Sequence, residues 1–264
     1  MKEIETITSK DNQKLKHARQ VRDGNAENKI FIEGRRLADE ALRSDLTFDL
    51  CFLSTGFSPE PGLKERLDSR NIEVVFVAEN IFNSIADTKN PQGIILIAEK
   101  PASGENAIEQ SLKDGSPVVL LHEANNPSNI GSIMRTAEAG GVAGIILTNG
   151  SADAFSARSI RASMGAAFRL PIWQETGFDQ ALDWAKQKGL IATAADIKAE
   201  QNYTDIDWNK PRLLVFGSEA HGLSSEESKQ MQEHITIRMK KETESLNLSV
   251  SAGIIIFESL RQRN

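Results

Sequence analysis

The sequence contains one cysteine, Cys51, among 264 residues. It can therefore form no internal disulfide and no zinc site that needs several cysteines. It also lacks an excess of basic residues, because the formal net charge is -6 and the sequence pI is ≈ 5.4. On its own, this balance argues against a protein that binds nucleic acid through its overall charge, so any nucleic-acid partner must be met by a local basic patch. The histidines share no metal-ligand spacing; they are His17, His122, His221 and His234.

Long apolar stretches are absent as well. The N-terminal segment MKEIETITSK has no apolar core of the kind found in signal peptides, and no run approaches the length that spans a bilayer. We therefore expect a cytoplasmic protein without a membrane partner. With 39% hydrophobic residues, the chain can bury a sizeable core and form one large or two modest domains.

Apolar strands alternate with helical segments along the chain, and this order predicts an α/β fold. Residues 1–100 are predicted to form a small α/β domain. The polar segment 101–112, which contains proline and glycine, is predicted to be a linker. Residues 113–264 then form a second α/β domain. Its strand from Val118 to Leu121 is wholly apolar, as expected when a parallel strand is covered on both faces.

Three polar turns stand out in the second domain. The segment NPSNIGSIMR places Asn129 near the start of a helix that bears Arg135, a forked cation able to reach over the strand ends. GSEAHG contains Glu219, and SLNLS leads into the last helix. That helix alone could be a simple docking helix, and one such match is a weak signal. Three polar turns beside buried strands indicate one pocket.

Several cations are candidates for binding an RNA backbone. Two arginines occupy the first turn of the helix after the strand Ile30 to Ile32, where they oppose the helix dipole unless an anion lies nearby. A lysine lies in the turn before the strand Ile94 to Ala98, and three more arginines lie among small residues of the second domain. These charges could equally be ordinary surface charge. The candidates are Arg35, Arg36, Lys89, Arg158, Arg161 and Arg169.

In this order, the three turns closely resemble the signature motifs of the SpoU/TrmH family of SPOUT RNA 2'-O-ribose methyltransferases, from about Ser116 to the end. FIEGRRLADEAL and TKNPQGI resemble the small L30e-like substrate-binding domain of many members. The resemblance implies a C-terminal trefoil-knotted SPOUT domain, with a parallel sheet flanked by helices, behind a smaller α/β L30e-like domain. It also implies a homodimer and S-adenosylmethionine as the cofactor.

The resemblance assigns a role to each motif residue. Arg135 would contact the phosphate of the target nucleotide and assist deprotonation of the ribose 2'-hydroxyl. Asn129 belongs to the same motif, and Glu219 is the acid of the second. Ser245 and Asn247, the pair of the third motif, would shape the site. Backbone contacts to the cofactor would come from Thr148, Gly217, Ile237, Met239 and Leu246.

An arginine is an unsuitable free base because its pKa is too high, so the final proton acceptor stays open. The resulting hypothesis is an S-adenosylmethionine-dependent enzyme that methylates a ribose 2'-hydroxyl, with 23S ribosomal RNA favoured over transfer RNA. A transfer RNA 2'-O-methyltransferase and a non-catalytic RNA-binding or ribosome-assembly factor of the same fold remain alternatives. A nucleotide-binding oxidoreductase is disfavoured, because no GxGxxG follows a strand. No metal is expected.

Overall fold

The computed structural model describes residues 6–113, 115–240 and 245–263. The chain divides into two compact units: Met1–Pro101 with Phe155–Arg169, and Ala102–Ala154 with Leu170–Asn264. Both units are layers of helices on a β-sheet, which confirms the predicted α/β class. In the part of the chain that the structure describes, no helix is long and apolar enough to cross a bilayer.

The first unit contains a five-stranded mixed sheet. Its strands are β1 (Thr6–Ile7), β2 (Lys29–Glu33), β3 (Phe48–Ser54), β4 (Glu73–Val77) and β5 (Ile94–Glu99), and its helices before residue 101 are α1 (Gln13–Arg22), α2 (Arg35–Leu42), α3 (Leu63–Ser69) and α4 (Glu79–Phe82). The sheet order is β1-β4-β3-β5-β2, and β5 runs antiparallel to both of its neighbours. Leu15, Ala18 and Val21 recur at helical spacing on α1 and pack into the core of this unit.

The segment Phe155–Arg169 folds with the first unit, although sequence analysis placed it in the domain 113–264. Helix α7 (Ala157–Ser163) and a 3-10 turn form this segment. Ala157 packs against the core cluster of the first unit. Two ion pairs add to this packing: Arg161 with Asp87 at 2.6 Å, and Arg169 with Glu40 at 3.1 Å. Such long-range partners cannot be identified from the local sequence.

The second unit contains an all-parallel sheet of six strands. Its elements are α5 (Glu105–Ser111), β6 (Val118–Leu121), α6 (Pro127–Ala139), β7 (Gly144–Thr148), β8 (Ile172–Thr176), α8 (Phe178–Gln187), β9 (Ile191–Ala195), β10 (Arg212–Phe216), α9 (Ser225–Lys229), β11 (Glu233–Ile235) and α10 (Leu248–Arg263). The sheet order is β11-β9-β10-β6-β7-β8. Helix α5 occupies most of the segment 101–112 that was predicted to be a linker, because Ile108 is fully buried in the core.

Helices α6 and α10 pack closely against each other. A Cβ atom at Gly140 would lie 2.2 Å from Cγ2 of the buried Ile256, so this contact requires glycine. Parallel strands direct their carboxyl ends to one edge of a sheet. The loops after β6, β10 and β11 therefore meet at the edge where α6 and α10 begin.

Candidate functional site

The first motif lies at the start of α6. Asn126 caps the helix by accepting a hydrogen bond from the Ser128 N–H at 2.9 Å, and Pro127 occupies the first turn, where its missing N–H costs nothing. Asn129 follows within that turn and is 8% exposed. Its side chain points into the protein, so it must find hydrogen-bond partners there.

Glu219, in the loop after β10, is the first of those partners. Its Oε1 accepts from Nδ2 of Asn129 at 3.1 Å, and its Oε2 accepts from the Asn125 N–H at 3.1 Å. Partial burial acts to raise the pKa of Glu219, but these hydrogen bonds outweigh it and hold the pKa below its usual value. Glu219 is thus a carboxylate at neutral pH, which suits an anchor between two loops better than a general base with a pKa near 7.

Asn247 is the second partner of Asn129. Its Nδ2 donates to Oδ1 of Asn129 at 3.1 Å. Its own Oδ1 accepts from the Ser249 N–H at 2.9 Å and from the Val250 N–H at 3.4 Å, which caps the start of α10. The amide orientations of Asn129 and Asn247 are therefore both set by the network, and the third motif is tied to the first.

These bonds form one directional network, Glu219–Asn129–Asn247, that joins all three motif turns at one sheet edge. Its members are 90 and 118 residues apart in sequence. Sequence analysis grouped them, and the structure brings them together. Ser245, also predicted, is exposed two residues before Asn247.

Arg135 lies on α6 about a turn and a half after Asn129 and is exposed. Within residues 6–113, 115–240 and 245–263, it forms no hydrogen bond or ion pair. A guanidinium without a protein partner keeps all five of its N–H donors available for an anionic ligand. The guanidinium of Arg135 is therefore available to an anionic ligand.

The predicted cofactor contacts lie at the end of β7 and in the loops after β10 and β11. Gly217 follows β10, and Ile237, Met239 and Leu246 are half-buried in the loops after β11 and before α10. A Cβ atom at Gly217 would lie 2.3 Å from the carbonyl carbon of Gly222, so only glycine permits this tight loop. Thr148 ends β7, which is separated from β10 by β6 in the sheet. Like β11, which is separated from β10 by β9, it is one strand removed from β10.

The hydroxyl group of Thr148 belongs to a buried network that sequence analysis missed. Nδ1 of His122 lies 3.0 Å from Thr148 Oγ1, and Nε2 of His122 lies 3.0 Å from Oε1 of Glu227. The Glu123 N–H also donates to Thr148 Oγ1 at 3.1 Å. The pairing of β6 with β7 places His122 beside Thr148, and this register cannot be obtained from sequence alone.

The end of β9 lies between β10 and β11 in the sheet. Ala194 pairs with Val215 of β10, and Ala195 pairs with Ile235 of β11. Residues from Asp196 onward therefore begin beside the loops that contain Gly217 and Ile237. The strand itself, IATAA, consists mostly of small residues, which are compatible with close approach of a ligand but not specific for it.

The predicted RNA-binding cations of the first unit differ in their surroundings. Arg36 and Lys89 are exposed and have no hydrogen-bond or ion-pair partner among the described residues. Arg35 lies 4.7 Å from the centre of the Phe57 ring, in a cation–π contact. Arg161 and Arg169 form the ion pairs given above, and Arg158 is exposed on α7. The two unpaired cations are thus the ones most available to phosphates.

No group of three or more histidine, cysteine, aspartate or glutamate side chains within the described ranges could hold a metal ion. The side chains that the hydrogen bonds bring together at the sheet edge are the carboxylate of Glu219 and the amides of Asn129 and Asn247, and Arg135 lies further along α6. This set can orient a polar substrate and bind an anion.

Comparisons with known proteins extend these observations. The model of the SpoU rRNA Methylase family matches residues 116–257, and that of an MRM3-like substrate binding domain matches residues 10–96. The chain is 34% identical over 237 residues to the 23S rRNA (adenosine(1067)-2'-O)-methyltransferase of Streptomyces laurentii, covering 88% of this chain and 86% of that protein.

Two further similarities span nearly the whole chain. It is 25% identical to the 23S rRNA (guanosine(2553)-2'-O)-methyltransferase of Bacillus subtilis, covering 97% of this chain and 98% of that protein. It is also similar to the crystal structure of an AdoMet-bound rRNA methyltransferase from Sinorhizobium meliloti, with a TM-score of 0.84, 28% identity and 97% of each chain covered.

Proposed function

The chain belongs to the SpoU rRNA Methylase family, and we propose that it methylates a ribose 2'-hydroxyl in 23S ribosomal RNA. The family match and the relatives confirm the resemblance found in the sequence. The chain is an S-adenosylmethionine-dependent RNA methyltransferase. The observation that best supports the proposed ribose chemistry is the network Glu219–Asn129–Asn247, which joins the three motif turns.

S-adenosylmethionine supplies a methyl group already activated by its sulfonium sulfur. The residues at the sheet edge fit this cofactor. Ile237, Met239 and Leu246 are half-buried apolar side chains beside backbone polar groups, the mixture that typically binds small cofactors. The tight loop between Gly217 and Gly222 brings backbone atoms to the same edge. Thr148 is proposed only as a backbone contact, because its hydroxyl group is already hydrogen-bonded.

Arg135 is proposed to bind the phosphate of the target nucleotide and thereby place the ribose 2'-hydroxyl in line with the methyl group. Its positive charge would also stabilise the alkoxide that develops as the proton leaves. Glu219 would keep Asn129 and Asn247 in register and would not take the proton, since its hydrogen bonds lower its pKa. Ser245 is proposed to face the substrate from its exposed position.

The choice of 23S ribosomal RNA rests on the names of relatives. Three of them are named as 23S rRNA 2'-O-methyltransferases, one acting on an adenosine, one on a guanosine and one on a uridine. The shared feature of these names is the RNA and the ribose position, while the base varies. Transfer RNA remains the second candidate substrate, because another relative is named only as a tRNA/rRNA methyltransferase.

A homodimer, a trefoil knot and a cytoplasmic location remain part of the proposal. One physical observation supports a homodimer. Two large apolar side chains of α10 are exposed, Val250 at 48% and Phe257 at 49%. These residues are seven apart, so they lie on one face of the helix. Phe257→Asp should shift the protein to monomers in light scattering, and an unchanged mass would exclude this helix face as the interface.

Transfer of a tritiated methyl group tests the reaction itself. The purified protein would be incubated with labelled S-adenosylmethionine and either 23S ribosomal RNA or transfer RNA lacking modifications. We expect label in 23S ribosomal RNA, at a nucleotide whose 3' bond becomes resistant to alkali. Label that stays in an alkali-sensitive nucleotide would indicate base methylation. Cofactor binding without transfer to either RNA would favour the non-catalytic alternative.

A further inference from the structure

A buried carboxylate in the first unit has no part in the chemistry described above. Glu33 ends β2 and is 6% exposed. Its Oε2 accepts hydrogen bonds from the Asp87 N–H at 2.7 Å and from the Thr88 N–H at 3.2 Å. Its Oε1 accepts from the hydroxyl group of Thr88. Three hydrogen bonds from two consecutive residues hold the start of the segment 87–92, here called the 87–92 loop.

The end of the same loop is held by a second side chain. Oε1 of Gln92 accepts from the Arg35 N–H at 2.8 Å. Gly34 makes room for this contact, because its φ is 105° and a Cβ atom there would lie 3.2 Å from Oε1 of Gln92. The strand end Glu33 and the residue that follows Gly34 therefore bind the two ends of one loop.

Two arginines bond to the first residue of the loop and to the backbone just before it. Nη1 of Arg22 donates to the carbonyl oxygens of Ser84 at 3.3 Å and Ala86 at 3.2 Å. Nη1 of Arg161 bonds to Oδ2 of Asp87 at 2.6 Å. These contacts use backbone carbonyls that precede the loop and the carboxylate of Asp87, and Lys89, the cation of the loop, has no hydrogen-bond or ion-pair partner among the described residues.

Between the two held ends lies exposed Lys89, and exposed Arg36 follows the anchored Arg35 on α2. We propose that Glu33 is a positioning residue for RNA, which fixes the 87–92 loop so that Lys89 and Arg36 meet one RNA backbone. This inference rests on the proposed function. Glu33 touches no substrate in this proposal, and it acts through the backbone of Asp87 and Thr88.

The physical reason is the cost of ordering a loop when its ligand binds. A loop already fixed by its own protein loses less conformational freedom on binding, so its cations contribute more of their attraction to affinity. On electrostatic grounds alone, a buried carboxylate would weaken RNA binding, because its negative charge repels RNA. This opposition gives the proposal a test in which the two effects have opposite signs.

The test compares Glu33→Gln with the matched control Glu73→Gln. Both changes remove one negative charge from the first unit, but Glu73 is exposed on β4 and bonds to Lys14. Charge alone predicts that both variants bind RNA slightly more tightly than the wild type. Positioning predicts that Glu33→Gln alone binds about tenfold more weakly, because a neutral amide offers only one oxygen and accepts the Asp87 and Thr88 N–H bonds less strongly than a carboxylate does.

The measurements are the affinity for 23S ribosomal RNA fragments, the KM for RNA, kcat at saturating RNA, and S-adenosylmethionine affinity. We expect the KM of Glu33→Gln to rise about tenfold, with kcat and cofactor affinity unchanged. Amide hydrogen exchange at Asp87 and Thr88 should also accelerate in this variant. RNA affinity equal to or above that of Glu73→Gln would overturn the proposal.

Two outcomes keep this test distinct from the proposed function. A wild-type protein that transfers no methyl group to RNA contradicts the proposed function, whatever the variants do. An active wild type with an unaffected Glu33→Gln contradicts only the positioning role. If Glu33→Gln does not fold, the exposed Gln92→Ala replaces it, with a roughly threefold loss of RNA affinity expected. No loss in that variant would equally refute a role for the fixed loop.

Discussion

In the second unit, the motif side chains bond to one another across long stretches of sequence, whereas in the first unit the bonds run from side chains to the backbone of one loop. Asn129 connects Glu219 with Asn247, while Glu33 holds the amides of Asp87 and Thr88. A side-chain network fixes the direction of individual polar atoms, as chemistry at a single ribose oxygen requires. A fixed loop with exposed cations suits the binding of a phosphate backbone, which needs charge more than direction.

The comparison predicts that changes in the second unit lower kcat and that changes in the first unit weaken RNA binding. The largest effect is expected for Arg135→Ala. Loss of a charged donor at a developing oxyanion should lower kcat by about 100-fold or more, with the fold unchanged. Steady-state transfer assays measure this, and Lys186→Ala, an exposed cation of α8 in the same unit, is the control. A kcat within about twofold of the wild type would remove Arg135 from the mechanism.

Asn129→Ala is the next largest. It leaves Oε1 of Glu219 without a donor and Nδ2 of Asn247 without an acceptor. The free energy of unfolding should fall by about 1–3 kcal/mol, and kcat should fall about tenfold or more because both loops lose register. Denaturant unfolding and transfer assays measure the two effects.

A double-mutant cycle sharpens this prediction. If the three side chains act as one network, Asn129→Ala combined with Glu219→Gln should cost less than the sum of the single changes. Additive costs would show that Asn129 and Glu219 act independently. Gln187→Ala, which removes an exposed amide of α8, should leave both quantities unchanged.

A smaller effect is expected for the cations of the first unit. Arg36→Ala should weaken RNA binding a few-fold and reduce the slope of log affinity against log salt by about 0.7–0.9, since one phosphate contact is lost. Arg161→Ala should change the slope less, because Arg161 already pairs with Asp87. Equal slopes for these two variants, measured by salt titration of RNA binding, would remove the distinction between free and paired cations.

The smallest expected effect is a pH dependence of stability that arises from Glu219. Burial acts to raise the pKa of Glu219 in the folded protein, but hydrogen bonds from Asn129 and the Asn125 N–H outweigh it and lower the pKa. Such a group stabilises the fold above its unfolded pKa of about 4.3 and loses this contribution as the pH falls through the folded value. The stability difference between the wild type and Glu219→Gln should therefore shrink as the pH is lowered below about 4.3. A difference that grows on acidification would show the opposite sign of shift.

The sequence predicted best those features that depend on local pattern. The strand Val118–Leu121 is found as predicted, because a run of apolar residues is a local pattern. The grouping of Asn129, Glu219 and Asn247 was available only through the motif order, since nothing local places residues 90 or more positions apart together.

The features that sequence missed depend on long-range pairing. Phe155–Arg169 folds with the first unit through ion pairs to Asp87 and Glu40. His122 meets Thr148 only because β6 and β7 pair in register. The burial of Glu33 could not be predicted from sequence, because a glutamate at the end of a strand is normally exposed to solvent. Only the structure shows that Glu33 is buried against the 87–92 loop.

The most direct test of the central claim is quantitative mapping of ribose methylation in ribosomal and transfer RNA from cells with and without this gene. We predict the loss of one 2'-O-methyl group in 23S ribosomal RNA, restored by the wild-type gene and not by Arg135→Ala. An unchanged methylation map at every ribose would contradict the proposed reaction.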